Sequence, residues 1–229
     1  FTQNAFRAAP VLIAAEHSQA NQGHTDWLLI NTGNANAGTG ELGKRVAIES
    51  CQAVANLTGS ASDRVLPFST GVIGEPLSAE LITRALPHAV EDLCDNNWER
   101  AAAAILTTDT RAKLRSVSLD LGGQTCVITG MAKGAGMICP NMATMLGFIG
   151  TDAQIAPGLL DTLYQLVKAK PSTENERVYQ NQAAQKSHYT GRKMAACSHV
   201  QQSSNRQGRK KCNITHARAR EHQSDYHDS

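Results

Sequence analysis

The sequence predicts a layered α/β fold, because compact apolar strand-like runs alternate along it with segments whose apolar residues repeat at helical spacing. DWLLINTG at 26–33 and RVLPFSTG at 64–71 are two such runs, each ending in small and polar loop residues. Between and after them lie stretches with the period of an amphipathic helix. A sharp change of composition near Pro171 separates this patterned region from a polar tail.

Taken in order, 26–33 reads as a buried strand running into a Gly/Asn loop. From 43 to 57, Ala47, Cys51, Val54 and Ala55 recur on one face, which gives a helix with its apolar stripe inward. The run at 64–71 is a short strand, and Pro67, lacking an N–H, places it at a sheet edge or at a kink. Residues 77–104 carry one or two helices, with a break expected near Pro87. Residues 115–121 and 125–128 alternate as two strands joined by the Gly122-Gly123 turn. Residues 157–168 form a helix with Pro157 near its start and Leu159, Leu160, Leu163 and Leu166 along one side.

The 229 residues are enough for one sizeable core or two. A net charge of +2 gives no strong steering field toward nucleic acid or membrane. Aromatic residues make up 4% of the chain, while Ala, Gly and Thr are abundant, a balance that favours chemistry on loops and hydroxyls. The chain opens on Phe1 beside an apolar segment, so its natural start is expected to lie upstream. No signal peptide is visible, and no run approaches the roughly 18 apolar residues that a membrane span needs. The six cysteines follow no compact framework, which suits reduced thiols and a soluble, cytoplasmic protein.

Residues 171–229 are rich in Gln, Ser, Asn, His, Lys and Arg, with Val178, Met194, Val200 and Ile214 as their large aliphatic side chains. So little apolar area does not offset the roughly 1 to 2 kcal/mol of backbone entropy lost per ordered residue, so disorder is expected. The change is abrupt, more like a change of reading frame than a linker. Cys197, His199, Cys212 and His216 do not have a recognised zinc spacing. The basic residues around Arg209, Lys210 and Lys211 lack the aromatic interleaving of a nucleic-acid surface, and a solvated tail is the simpler reading.

The chemistry concentrates in GMAKGAGMICPNMATMLGFIGTDA at 130–153, which has closely spaced small residues, one lysine, a Pro-Asn turn and then Ala143-Thr144. Glycines admit tight backbone conformations. Such a loop can hold the Ala143-Thr144 peptide where the Thr144 hydroxyl attacks the preceding carbonyl. An N-to-O acyl shift and hydrolysis then free the Thr144 α-amino group, whose ordinary pKa of about 7.7 to 8.0 suits a base for its own hydroxyl. From these residues alone, a plain strand-to-strand connection stands as the alternative. By the same measure Ser69-Thr70-Gly71 reads as a strand-end turn and Lys133 as a solvated lysine.

KGAGMI, PNMATMLGF (140–148) and Thr151-Asp152-Ala153 resemble the self-cleavage region of the glutamate/ornithine N-acetyltransferase family of arginine biosynthesis. TGNANAGTG (32–40) is similar to that family's Asn/Gly loop, PFSTGVIGEPL (67–77) to its oxyanion segment, and AILTTDTRAK (104–113) to a substrate-binding stretch. The resemblance runs from Phe1 to about Lys168 and implies an α/β sandwich of the N-terminal-nucleophile-like acetyltransferase type. It makes 1–143 the first-chain region, 144–170 the start of the second, and 171–229 the unmatched tail. Carried over by position, Thr144 is the nucleophile, Ala143 and Thr144 flank the cut, and Thr70 and Gly71 form the oxyanion hole. Lys133 and Thr107, with Thr108 its neighbour, fall at substrate-binding positions.

The implied reaction moves acetyl from N-acetylornithine to glutamate through an acetyl-Thr144 intermediate, with acetyl-CoA as a first donor in some members and no metal or organic cofactor. The family also implies assembly of the cleaved chains and a homo-oligomer. Its second chain further supplies a Glu, an Asn and a Ser or Thr, and no stretch past Lys168 matches these. Glu174, Glu176 and Glu221 therefore receive no role. An inactive remnant of this enzyme and a related self-processing peptidase are the competing readings.

Overall fold

Residues Trp27–Asn34 form strand β1, and its side chains divide between two cores. The computed structural model describes residues 1–2, 4–135, 145–156, 158–160 and 162–163, and the backbone of 196–197, 203–204 and 210–211. Leu28 and Ile30 face one cluster and Leu29 the other, as the period of two along a strand requires. Strand β2 (Val65–Val72) pairs parallel to β1, Leu28 opposite Leu66 and Ile30 opposite Phe68. It divides in the same way, with Leu66 and Phe68 in the first cluster and Val65 in the second.

The second cluster is closed by helices α1 (Ala9–Ala20), α2 (Gly40–Thr58) and α3 (Ala79–Glu91). Val46, Ala47, Cys51 and Val54 are the buried stripe of α2, joined there by Ile82 and Leu86 of α3. The first cluster is closed by a second, antiparallel sheet, β3 (Lys113–Leu121), β4 (Gln124–Lys133) and β5 (Leu146–Thr151), in the order β3-β4-β5. Met131, Leu146 and Phe148 face Leu28, Ile30, Leu66 and Phe68 across the gap, with Ala101, Ala102 and Ile105 in the same cluster. Phe68 and Phe148 meet edge to face, ring centroids 5.1 Å apart at 81°. A pair in this geometry contributes about 0.5–1.5 kcal/mol beyond its buried area and ties the two sheets together. The layers therefore run helix, parallel sheet, antiparallel sheet, and the layered α/β expectation holds.

Several boundaries moved. The short helix α4 (Trp98–Ala104) is separate from α3, but α3 runs through Pro87 and the chain breaks after Glu91 instead. An interior proline costs about 3 kcal/mol. Burial of Ile82, Ala85, Leu86 and Ala89 on the inner face outweighs it, at about 1.5–3 kcal/mol for each large aliphatic side chain. Pro67 lies on β2, at the edge of a sheet in which β1 is central and Ala196–Cys197 is on its other side, so its missing N–H is tolerated. Strand β4 continues past residue 128 to Lys133, so the front of the glycine-rich segment is strand and not loop. Gly122 and Gly123, at φ +68° and +89°, make the hairpin turn between β3 and β4. The N-terminal helix α1 carried no expectation from the sequence. Of the expected helix at 157–168, residues 158–160 and 162–163 are helical and the others lie outside the described residues. In the tail, Ala196–Cys197 (β6) adds to β1, and Ser203–Ser204 pairs with Lys210–Lys211. The disorder expected there, and the zinc and basic-patch side chains, otherwise fall outside the described residues.

Candidate active site

The inner row of β2 runs Leu66, Phe68, Thr70, and the inner row of β4 runs Met131, Lys133. Where the aromatic and aliphatic packing between the sheets ends, these two polar residues come next along their strands. Lys133 is only 4% exposed, and its Nζ donates to Thr70 Oγ1 and to Thr107 Oγ1, both at 2.9 Å. Thr107 lies in the loop that follows α4. Three residues remote in sequence are thus gathered around one ammonium. Burial, opposed by the Asp109 carboxylate and aided by the Lys113 ammonium, pushes the Lys133 pKa below the ordinary lysine value.

Gly71 follows Thr70 in β2 at φ +133°. A Cβ there would stand 2.2 Å from the Gly33 carbonyl carbon and 2.5 Å from the Asn34 nitrogen, so no larger residue fits. The loop opposite is held by its own amides. Asn34 Oδ1 accepts from the Asn36 N–H at 2.7 Å, and Asn36 Nδ2 donates to the Gly43 carbonyl at 2.9 Å. Asn34 Nδ2 donates to the Glu75 carbonyl at 3.1 Å, tying this loop to the one after β2. Thr32 Oγ1 donates to the Ala104 carbonyl at 2.8 Å and fixes the end of α4, just ahead of Thr107. Thr32, Asn34 and Asn36 therefore satisfy backbone groups at the rim of the site, as buried polar groups must be satisfied.

A second polar cluster sits behind Lys133. Asp109 pairs with Lys113, and its side chain is fully excluded from solvent. Asp109 Oδ1 also accepts from the Gly134 N–H at 2.8 Å, and Lys113 Nζ donates to the Gly134 carbonyl at 2.9 Å. Burial alone would raise the Asp109 pKa, but Lys113, the Gly134 N–H and Lys133 outweigh it and hold the carboxyl below its usual range. Asp109 and Lys113 were not singled out in the sequence. The available signal was an acid and a base four residues apart within AILTTDTRAK, a pattern too common to stand out.

Thr70, Gly71, Thr107 and Lys133 lie together, whereas Thr108 makes none of the contacts with Lys133. Ala143 and Thr144 lie outside the described residues. A profile of the ArgJ family matches residues 1–172. The chain belongs to the ArgJ family. It is 56% identical over 166 residues to the arginine biosynthesis bifunctional protein ArgJ of Methylococcus capsulatus, covering 72% of this chain and 40% of that one. It is 54% identical over 163 residues to the ArgJ protein of Pseudomonas syringae, covering 71% and 40%. The crystal structure of the ArgJ protein of Bacillus halodurans matches with a TM-score of 0.54 and 32% identity, over 62% of this chain and 74% of that one. This ArgJ chain therefore spans about 40% of the length of the curated relatives it matches. No helix among the described residues is long and apolar enough to cross a membrane.

Proposed function

We propose that this chain carries the self-cleaving, acetyl-accepting part of an ArgJ-type acetyltransferase, with Thr144 as nucleophile. The Thr144 hydroxyl attacks the Ala143 carbonyl, and collapse of the tetrahedral intermediate leaves Ala143 esterified to Thr144 and the Thr144 amine free. Water hydrolyses the ester to an Ala143 carboxylate and a Thr144 hydroxyl. That hydroxyl, with its own amine as base, then attacks the acetyl carbonyl of N-acetylornithine and releases ornithine. The amine of glutamate takes the acetyl group from the Thr144 ester, giving N-acetylglutamate. The covalent ester does the work of a group carrier, so the reading calls for no metal or organic cofactor, and acetyl-CoA enters only as an alternative donor.

The observation that supports this reading best is the buried Lys133 ammonium, bonded to the Thr70 and Thr107 hydroxyls at the mouth between the sheets. Thr70 accepts from Lys133, which leaves the Thr70 hydroxyl hydrogen available to a developing oxyanion beside the Gly71 backbone. Such donors are worth about 2.7–4 kcal/mol each at the transition state. Among the described residues the third hydrogen of Lys133 Nζ has no acceptor, and a substrate carboxylate would complete it as a charge-assisted bond. Leu146, two residues after Thr144 in the sequence, is the ladder partner of Lys133, and this pairing supports the reading. In this reading the two cleaved pieces remain assembled and act in the cytoplasm.

Intact mass spectrometry of the purified chain beside a Thr144→Ala variant tests the proposal. Two fragments meeting at Ala143-Thr144, absent in the variant, are expected, followed by transfer of labelled acetyl from N-acetylornithine to glutamate. A single uncut mass for the wild-type chain overturns the reading for this molecule.

A further inference from the structure

Gly134 leaves the antiparallel sheet one residue after Lys133, at φ +148°. The last ladder pairs on this side are Lys113 with Ala132 and Leu146 with Lys133, so Gly134 has no strand partner in the register of either neighbour. Both of its backbone groups are nevertheless engaged by side chains. Asp109 Oδ1 takes the N–H at 2.8 Å and Lys113 Nζ gives to the carbonyl at 2.9 Å, while Asp109 and Lys113 pair with each other. Thr107, which accepts from Lys133, stands two residues before Asp109 in the same loop.

We infer that Asp109 is a positioning residue for Lys133, acting with Lys113 as a polar clamp on the Gly134 peptide that fixes the Lys133 ammonium against Thr70 and Thr107. The inference rests on reading those three residues as one catalytic pocket. The clamp extends the sheet by one residue where the backbone no longer can. It also locks the Thr107 loop to the end of β4.

The polarity of the clamp is what separates it from an ordinary ion pair. An acceptor is needed at position 109 for the Gly134 N–H, and a donor at 113 for the Gly134 carbonyl. Exchanging the two charges keeps the attraction but presents an ammonium to an N–H and a carboxylate to a carbonyl. The arrangement also carries a cost that simple packing would avoid. Asp109 Oδ2 is buried without a hydrogen-bond partner among the described residues, so an apolar pair would be cheaper were shape the only requirement.

The test is competitive acylation of lysines in the full chain with acetic anhydride, reading Lys133 against Lys44, whose side chain is 37% exposed, by mass spectrometry. Asp109→Ala, Asp109→Asn and the exchange Asp109→Lys/Lys113→Asp are compared with wild type, with amide exchange across the β3–β4 hairpin as the control for folding. Asparagine still accepts from the Gly134 N–H but no longer neutralises Lys113. Loss of one charge-assisted bond is worth a factor of about ten, so relative Lys133 labelling should rise about ten-fold in Asp109→Ala and about three-fold in Asp109→Asn. The exchange variant should label like Asp109→Ala despite its restored opposite charges. Equal Lys133 labelling in Asp109→Asn and Asp109→Ala overturns the clamp, because both lose the carboxylate charge that opposes deprotonation of Lys133 and only asparagine keeps the bond to Gly134. Wild-type protection in the exchange variant overturns it too and reduces the pair to plain attraction. Should the hairpin lose protection in Asp109→Ala or the exchange variant, Lys113→Met decides: losing that ammonium lowers Lys133 labelling if charge alone acts, so a rise supports the clamp and an unchanged or lower value overturns it. Cleavage at Ala143-Thr144, read from intact mass in the same samples, reports separately on the proposed function. An uncut chain with this labelling pattern defeats that reading and leaves the clamp standing.

Discussion

Lys133 of the antiparallel sheet donates to Thr70 of the parallel sheet across 2.9 Å, at the position where the core between the two sheets stops. Each is the next inward residue after an apolar one, Met131 before Lys133 and Phe68 before Thr70. A well-packed floor thus delivers two polar groups to one point, and the ammonium is desolvated by the same packing that positions it. Burying this charge is unfavourable in itself.

That cost yields the first prediction. Lys133→Met keeps the length and apolar stem of the side chain and removes the buried charge. Stability in urea should stay level or rise by about 1–2 kcal/mol, while self-cleavage or acetyl transfer is lost, the trade expected where a site stores an unfavourable group. Urea denaturation beside intact mass reads both. A variant weakened by more than about 1 kcal/mol would mean that the two hydroxyl bonds outweigh the desolvation of the ammonium.

Gly71 permits no side chain, since a Cβ would lie 2.2 Å from the Gly33 carbonyl carbon at a φ of +133°. Gly71→Ala must therefore separate β1 from β2 or shift the backbone at the candidate oxyanion site. A loss of about 3 kcal/mol or more is expected, a size reserved for strain or core damage. Gly122→Ala, where nothing lies within 4 Å, meets no such clash and is the comparison. Equal denaturation midpoints for the two variants would contradict the close approach.

Cleavage at Ala143-Thr144 would cut between β4 and β5, which are ladder partners from Ile128↔Thr151 to Lys133↔Leu146. Met131 lies before the cut and Leu146 and Phe148 after it, all in the one core between the sheets. The products should remain together. Native mass spectrometry should give the summed mass, and two fragments should separate only in denaturant. Free fragments under native conditions would show that this ladder and its core are too weak to hold the nicked chain.

Much of this arrangement was legible in the sequence because it depends on local pattern. The run from Trp27 to Ile30 has no polar interruption, so a buried strand followed from apolarity alone. Gly122-Gly123 between alternating residues marked the hairpin without reference to the rest of the chain. Pro87 misled because local propensity disfavours proline inside a helix, while the decisive contacts, those of Leu86 and Ala89, come from tertiary packing. At the site, the grouping of Thr70, Thr107 and Lys133 came from resemblance in motifs, since no spacing rule brings residues so far apart in sequence to one ammonium. Asp109 and Lys113 escaped notice because their importance lies in what they do to Gly134, and a single sequence carries no mark of a side chain that clamps a backbone.

The Asp109 carboxyl gives a pH dependence of defined sign. Its folded pKa is lowered, although burial, the largest single influence, pushes the other way and is overcome by Lys113, the Gly134 N–H and Lys133. A lowered folded value means that the unfolded chain takes up a proton first as the pH falls. The stabilisation is therefore complete above the unfolded value of about 3.9 and is lost as pH falls through the lower folded value. The stability difference between wild type and Asp109→Asn should be constant from about pH 7 to 5 and shrink below about pH 4. In a Lys113→Met background the main opponent of burial is gone, the Asp109 pKa rises, and the same difference should shrink toward zero. Urea midpoints for the four proteins across that range measure it. An Asp109→Asn difference that grows as the pH falls would show that burial, and not the pairing with Lys113, governs this carboxyl.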